Sequence, residues 1–209
     1  MSASYAQILW DFDGVLLDSM RIRSDGFRWI FRHYPTSHVD QLIAYHLHQG
    51  GLSRYHKIQY FFEIIQKESV DQEQIAELAQ EFSYYMLERL QDPKLLIQDT
   101  VEWIRAHQRT HTHTITSGSD EQELKQLTTA LGIAPLFTAI YGSPVPKLET
   151  VQRIVQSSAL SKEAFCLIGD SINDYEAATA AGISFYGYNN RALVEAGMPY
   201  LSSLKEFGE

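Results

Sequence analysis

The pattern of apolar and polar positions begins with a short apolar run, residues 8–10, followed at once by Asp11-Phe12-Asp13-Gly14. A run of this kind bounded by a turn signal predicts a short buried strand whose carboxyl end carries two acids. Alternation along an extended segment points Asp11 and Asp13 the same way. In an open parallel sheet, ligands bind at this edge, so the sequence predicts a functional site here.

Helical periodicity dominates the next part of the chain. Apolar side chains recur at helical spacing over 20–33, over about 38–48, over 53–68 and again from Asp71. The pair Asp92-Pro93 ends this block. Residues 18–92 are therefore predicted to be helices and connections only.

Beyond residue 93 the pattern alternates between helix and strand, which predicts a parallel sheet covered on both faces. The predicted helices are 98–108, 119–131, 147–158 and 171–181, and the predicted strands are 112–117, 137–141, 164–169 and 183–187. The fold class is therefore α/β, a doubly wound parallel sheet of Rossmann type. We expect a core from residues 1–17 and 93–209 with an inserted α-helical cap, 18–92, that closes over the two aspartates.

Composition narrows the classes of function and the expected location. The formal net charge of −9 argues against nucleic acid or an acidic membrane as the main partner. The single cysteine, Cys166, lies in an apolar run, which suits a reducing compartment. Neither a signal peptide nor a run of membrane-spanning length is visible, so we expect a cytoplasmic protein. We also expect a monomer or a weak homodimer.

Two further stretches carry groups that could hold an anion. Ser117-Gly118 ends a predicted strand, where a hydroxyl and backbone N–H groups at a helix start could bind phosphate, although Ser117 or Ser119 could instead simply cap the helix. Lys147 stands at a predicted helix start, against the helix dipole, which favours an anionic partner. An exposed lysine is the alternative.

A last acidic stretch ends another predicted strand. Asp170 lies at the strand tip and Asp174 lies one helical turn later, on the same face. Helix capping alone could explain these acids, and a solvated turn could explain Asp11 and Asp13. A calcium loop is excluded by spacing, because Gly14 comes two places early and Ile22 stands where the closing glutamate should be.

Taken in order, Asp11-x-Asp13-Gly14, Ser117-Gly118, Lys147 and Gly169-Asp170-x3-Asp174 closely resemble the four motifs of the haloacid-dehalogenase-like (HAD) superfamily. The predicted helical insert resembles the first-type cap of that superfamily. Within it, the chain is similar to the phosphoglycolate phosphatase and β-phosphoglucomutase groups. The resemblance covers nearly the whole chain.

The resemblance implies a phosphoryl-transfer mechanism. Asp11 would attack phosphorus to form an aspartyl-phosphate, and Asp13 would protonate the leaving oxygen and then activate water. It also implies a magnesium ion, Mg²⁺, held by the carboxylates of Asp11 and Asp170 and the carbonyl of Asp13, with Asp174 as a ligand or as a support for the ligands.

The same resemblance implies a phosphate-binding set. Lys147 and Ser117 would hold the remaining phosphoryl oxygens together with backbone N–H groups of Phe12, Asp13 and Gly118. The name-giving dehalogenases lack the second aspartate and need no metal, so Asp13 disfavours that activity.

The cap carries the candidates for substrate recognition. Residues 50–54 resemble the substrate-reading stretch of the β-phosphoglucomutase group, in which the arginine grips a phosphate distant from the reaction, so Arg54 is the candidate; a solvated arginine is the alternative. Arg23 stands where that group has a cap-side histidine, and Gly169 replaces a glutamate. Both departures favour hydrolysis. His46 and His48, near Gly50, are interpreted as ordinary surface or packed histidines.

The sequence thus predicts a Mg²⁺-dependent phosphatase for a small phosphomonoester, a sugar phosphate or a phosphoglycolate-like acid. A sugar phosphomutase and a non-catalytic phospho-ligand binding protein are the alternatives. An anionic substrate is favoured by the basic residues collected in the cap of an acidic chain, namely Arg21, Arg23, Arg28, Arg32, Arg54 and Lys57.

Overall fold

The computed structural model describes residues 5–207 and has at its centre a parallel sheet of six strands. The strands follow the order β3-β2-β1-β4-β5-β6 across the sheet. Their bounds are β1 Gln7–Trp10, β2 Thr112–Asp120, β3 Ala139–Ser143, β4 Phe165–Gly169, β5 Ser184–Tyr188 and β6 Tyr200–Leu201. The α/β class and the parallel sheet are confirmed.

Helices flank this sheet and fill the interval between β1 and β2. Their bounds are α1 Met20–Ile30, α2 Thr36–His48, α3 Arg54–Tyr60, α4 Gln72–Arg89, α5 Gln98–His107, α6 Glu121–Ala130, α7 Lys147–Ser157, α8 Ile172–Ala181 and α9 Ala192–Glu195. A π-helical segment, Phe61–Gln66, continues α3. Within residues 5–207, none of these helices combines the length and apolarity that a membrane crossing requires.

The two central strands place the acidic stretches side by side. β1 and β4 are apolar and almost fully buried, as expected for strands covered on both faces. Their register pairs Trp10 with Ile168, and on the other side pairs Trp10 with Ile115. Because the strands are parallel, Asp11 and Asp170 leave the sheet at the same edge, next to the end of β2.

The helices α1–α4 and the segments that join them, called the cap helices below, pack around an aromatic cluster continuous with the core of the sheet. Phe31 stacks on Phe61 with ring centroids 3.8 Å apart, and Phe27 packs on Phe82 at 4.6 Å. Their loop reaches the sheet at Gly51, whose carbonyl oxygen lies only 2.2 Å from the place a Cβ on Gly118 would take. The division into a core, 1–17 and 93–209, and a cap, 18–92, stays a prediction.

One predicted boundary is wrong in a way that affects the site. β2 continues to Asp120, and α6 begins at Glu121 rather than at residue 119. Asp120 caps α6 by accepting hydrogen bonds from the backbone N–H groups of Gln122 and Glu123 at 3.0 and 3.1 Å. The pairing of β2 with β3 shifts register between Thr116 and Asp120, which frees the intervening residues from the ladder. Neither Ser117 nor Ser119 therefore caps the helix.

The aromatic cluster of the cap helices gives a stability prediction. Replacing Phe61, which is fully buried, with alanine should lower the free energy of unfolding by about 3–5 kcal/mol because it leaves a cavity. The matched change Ile64→Ala, on a side chain 58% exposed in the same segment, should cost about 0.5 kcal/mol or less. Urea unfolding measures both. Equal losses would contradict this packing.

Candidate active site

A lysine joins two of the buried carboxylates at the sheet edge. Lys147 Nζ, from the first residue of α7, lies 2.9 Å from Asp11 Oδ1 and also donates to Asp174 Oδ1. Asp174 Oδ2 accepts from the Ser171 N–H and Oγ at 3.0 and 2.6 Å, so both of its oxygens are occupied. Attraction to these acids outweighs burial and raises the pKa of Lys147 above its ordinary value.

Asp170 completes a group of three acids. Carboxylate oxygens of Asp11, Asp170 and Asp174 all lie within 4.8 Å of one another. Burial and mutual repulsion raise the pKa of Asp11 to about 7, and the same causes raise the pKa of Asp170 well above its usual value. Gly14 makes this proximity possible, because a Cβ there would stand 2.1 Å from Asp170 Oδ2 and the φ of +75° suits glycine.

Asp13 has a different environment, rich in donors. Its Oδ1 accepts from Ser19 Oγ and from Arg23 Nε at 2.5 Å, and its Oδ2 accepts from Ser119 Oγ at 2.6 Å. Burial opposes the charge, but Arg23 and the two hydroxyl donors hold the pKa of Asp13 below its ordinary value. Burial and repulsion therefore favour the protonated form of Asp11, whereas its neighbours favour the ionised form of Asp13.

The predicted phosphate-binding groups lie beside these acids. Ser117 and Gly118 line the same cavity as Asp11 and Asp13. Ser117 Oγ accepts from the backbone N–H of Ser119 at 3.1 Å, while the Phe12 N–H donates to Asp11 Oδ1 at 2.8 Å. The Phe12 N–H therefore orients the Asp11 carboxylate, whereas a free N–H aimed at a ligand was predicted.

A core glutamate links the two cap arginines singled out in the sequence. Glu123, from α6, is fully buried; its Oε1 accepts from Arg23 Nη1 at 2.9 Å and its Oε2 lies 2.6 Å from Arg54 Nη2. Arg54 also donates to Ser83 Oγ at 2.5 Å and lies over the Phe82 ring. The interpretation of Arg54 as solvated is wrong, because its side chain is only 3% exposed.

Lys57 and His46 form a second buried polar pair in the cap helices. Lys57 Nζ lies 3.0 Å from His46 Nδ1 and donates to the Gly50 carbonyl at 3.0 Å. Burial lowers the pKa of Lys57 to about 7 and, with the nearby cations, lowers that of His46 to about 2. His46, interpreted from sequence as an ordinary histidine, thus lies at the candidate site.

These groups surround one small cavity between the cap helices and the sheet edge. Its volume is about 30 Å³. Asp11, Asp13 and Asp170 form one wall, and the opposite wall is formed by cap residues, including Arg23, His46, Arg54 and Lys57. A single water needs ~10–15 Å³ of such space, so the enclosed room is that of about two waters.

The structure brings together the motif residues that the sequence singled out for chemistry. Of the basic residues counted in the cap, Arg21, Arg28 and Arg32 are exposed and do not line the cavity. The six acidic, hydroxyl and cationic residues of the four motifs meet at one sheet edge, and Arg23 and Arg54 face them from the cap helices. Glu123, Ser19 and His46 were missed as site residues, and Lys57 was counted only among the basic residues of the cap. A polar residue at an apolar helical position, as Glu123 is just before Leu124, was the available signal.

The three neighbouring carboxylates also form a donor set suited to a divalent cation. Oxygen ligands of this kind are what Mg²⁺ prefers in proteins. Asp11 and Asp174 are buried, Asp170 is half-buried, and Lys147 contacts two of the three. When all three acids are ionised, two negative charges remain to be balanced, which is the charge of such an ion.

Comparison with solved structures supports the fold at low identity. Xylulose-(1,5)bisphosphate-bound CbbY from Rhodobacter sphaeroides is 17% identical with a TM-score of 0.78, covering 98% of this chain and 96% of that one. β-Phosphoglucomutase from Clostridium difficile is 16% identical with a TM-score of 0.76, covering 95% and 91%. A predicted phosphatase from Clostridium acetobutylicum is 15% identical with a TM-score of 0.74, covering 97% and 96%.

Sequence comparisons give the family. The search of curated proteins found no match. The family model of the haloacid dehalogenase-like hydrolases matches residues 8–188, which contain all four motifs. The chain therefore belongs to the haloacid dehalogenase-like hydrolase family and is an enzyme of that family.

Proposed function

We propose that the protein is a Mg²⁺-dependent phosphatase that hydrolyses a small phosphomonoester through an aspartyl-phosphate on Asp11. The observation that carries the proposal is the pairing of Asp11 with Lys147 at 2.9 Å, in the cavity that also holds Asp13. A nucleophile beside a fixed cation and a second acid is the arrangement that phosphoryl transfer needs.

Asp11 is oriented for attack through one oxygen. Its Oδ1 receives both the Phe12 N–H and the Lys147 ammonium, and in the described residues Oδ2 has no hydrogen-bond partner. Oδ2 would form the bond to phosphorus while the bond from phosphorus to the leaving oxygen breaks. Lys147 lowers the charge repulsion between the carboxylate and the phosphoryl group.

Asp13 would move the protons of both half-reactions. It gives a proton to the leaving oxygen in the first step and takes one from the attacking water in the second. Arg23 and the hydroxyls of Ser19 and Ser119 favour its carboxylate form, which is the form that accepts the proton of water. This environment supports the second half-reaction, while the first requires Asp13 to carry a proton.

Mg²⁺ would be held by Asp11 and Asp170, with the carbonyl of Asp13. Asp174 would act as a support, because Lys147 and Ser171 hold both of its oxygens. Asp11 would bind the ion through Oδ1 and keep Oδ2 for phosphorus. When bound, the ion supplies positive charge that stabilises the phosphoryl oxygens. Ser117 and the backbone of Gly118, on the opposite side of Asp11, would hold the oxygens that the ion does not reach.

The cap, residues 18–92, would have to move away to admit a substrate. The cavity of about 30 Å³ has no room for a phosphoryl group with its leaving group. Closure excludes water from the bond that breaks and brings Arg23 onto Asp13. The proposed substrate is a small phosphomonoester, of the sugar phosphate or phosphoglycolate type.

The nucleophile assignment predicts the effect of one substitution. Asp11→Asn should lower kcat for p-nitrophenyl phosphate with Mg²⁺ by on the order of 10³-fold or more, because the amide cannot form the covalent intermediate. The control Asp18→Asn makes the same change on an exposed carboxylate and should keep activity. Phosphate release measures both.

Hydrolysis that survives Asp11→Asn would contradict the role of Asp11. A wild-type protein that releases phosphate from none of a panel of phosphomonoesters would contradict the phosphatase itself.

The metal proposal predicts a binding effect that needs no turnover. Mg²⁺ should raise the thermal unfolding midpoint of the wild type, since ligands of the native state stabilise it by about 2.7 kcal/mol at 100 times the dissociation constant. Asp170→Asn should remove that rise and the Mg²⁺ dependence of hydrolysis, while Asp18→Asn should retain both. An unchanged rise in Asp170→Asn would place the ion elsewhere.

A phosphomutase is the second candidate, favoured by the similarity to β-phosphoglucomutase and by the position of Arg54 at the cavity. The two activities differ in the acceptor of the phosphoryl group, water or a sugar hydroxyl. Given β-glucose 1-phosphate and Mg²⁺, a phosphatase should release inorganic phosphate, which we expect, whereas a mutase should form glucose 6-phosphate. Phosphorus NMR distinguishes them, and accumulation of the isomer would overturn our preference.

A further inference from the structure

The cap wall of the cavity contains one cation that no acid neutralises. Arg23 pairs with Asp13 and Glu123, and Arg54 pairs with Glu123. Lys57 is as deeply buried as these arginines, yet it has no carboxylate within 4.0 Å in the described part of the chain. A buried cation without a counter-ion is costly, and its place at a cavity indicates that a ligand supplies the missing charge.

The same wall offers hydrogen-bond donors that have no acceptor. Lys57 uses two of its three N–H groups, on the Gly50 carbonyl and on His46 Nδ1. When Lys57 is an ammonium it can only donate, so His46 Nδ1 then accepts and its Nε2 carries the proton. His46 Nε2, Arg23 Nη2 and Arg54 Nε are buried without partners within residues 5–207. Such a surface suits an acceptor-rich, anionic group.

The number of cations and carboxylates on the cap wall indicates the charge of the anion that would bind there. Three cations, Arg23, Arg54 and Lys57, meet two carboxylates, those of Asp13 and Glu123. One positive charge is left, which a single carboxylate matches and a second phosphate, with a charge near −2, exceeds. Glu123 already pairs with Arg54, which disfavours the predicted contact between Arg54 and a phosphate distant from the reaction.

We propose that Lys57, with the N–H of His46, forms a subsite for one carboxylate on the leaving group of the substrate. The proposal rests on the phosphatase function and narrows its substrates to short phosphorylated hydroxy acids. The small cavity agrees, because only a few atoms can separate the phosphoryl group at Asp11 from a carboxylate on the facing wall. Lys57 binds substrate and takes no part in the bond that breaks.

Three substrates with the same two-carbon body test this subsite. They are 2-phosphoglycolate, with a carboxylate, 2-hydroxyethyl phosphate, with a neutral end, and ethane-1,2-diol bisphosphate, with a second phosphate. We expect wild-type kcat/KM to be at least ~10-fold higher for 2-phosphoglycolate than for the other two, from one charge-assisted hydrogen bond. Equal values, or a preference for the bisphosphate, would overturn the proposal.

Removing the Lys57 charge should remove this preference. In Lys57→Met the ratio of kcat/KM for 2-phosphoglycolate to that for 2-hydroxyethyl phosphate should fall at least ~10-fold, mainly through KM. Lys57→Arg should recover part of it. The control Lys67→Met removes an exposed lysine of the cap and should keep the wild-type ratio. An unchanged ratio in Lys57→Met would overturn the proposal.

A binding measurement separates this subsite from the proposed catalysis. In Asp11→Asn, calorimetry should show tighter binding of 2-phosphoglycolate than of 2-hydroxyethyl phosphate, and Asp11→Asn with Lys57→Met should bind both alike. A binding preference in Asp11→Asn, together with no turnover by the wild type, would support the subsite and contradict the phosphatase. Turnover of all three substrates without a binding preference would contradict the subsite alone.

The stability of the free protein gives a further readout. The pKa of Lys57 falls from 10.5 unfolded to about 7 folded, so between these values the unfolded chain binds more protons and the free energy of unfolding should rise with pH. Lys57→Met should lack this rise, as urea unfolding at pH 7 and pH 10 will show. The charged and titratable groups facing Lys57 are Asp13, Arg23, Asp170, Arg54 and His46. An equal rise in the variant would show that Lys57 is not the uncompensated cation.

Discussion

The arrangement of the site depends on how the repulsion among Asp11, Asp170 and Asp174 is offset. Lys147 offsets part of it by pairing with Asp11 and Asp174. Three carboxylates with oxygens within 4.8 Å of one another cannot remain ionised and buried unless positive charge is built into the fold. The ammonium of Lys147 supplies part of it from the start of α7. The part left over is the positive charge that the proposed divalent cation would supply.

The cap helices also bury charge, but there the charge is positive. Arg23, Arg54 and Lys57 are buried there, and Arg54 lies over the Phe82 ring. An unpaired cation at such a place is costly. Glu123, on α6, forms ion pairs with Arg23 and Arg54. Asp13 forms a further ion pair with Arg23. Asp13 is therefore also one of the contacts between the cap helices and the sheet edge.

Most of the fold could be predicted because its elements carry strong local signals. β1 and β4 are short apolar runs ending in acids, and the helices show clear periodicity, so their existence and order follow from the sequence. The end of β2 could not be predicted, because Ser117-Gly118-Ser119 resembles a helix start and only the bulged pairing with β3 keeps it extended. The two-residue strand β6 carries too little signal to be recognised.

The sequence by itself determined the catalytic edge. Asp11, Asp13 and Asp170 follow strands, Lys147 begins a helix, and Ser117 lies in the last part of β2. Parallel strands must bring their carboxyl ends to one edge of the sheet. Only the tertiary structure decided the partners of the cap residues. Glu123 is 100 residues from Arg23 and 69 from Arg54 along the chain, and no periodicity relates them. Whether a charge on a helix is solvated or buried depends on which helix docks against it, and that is settled by packing across the whole molecule.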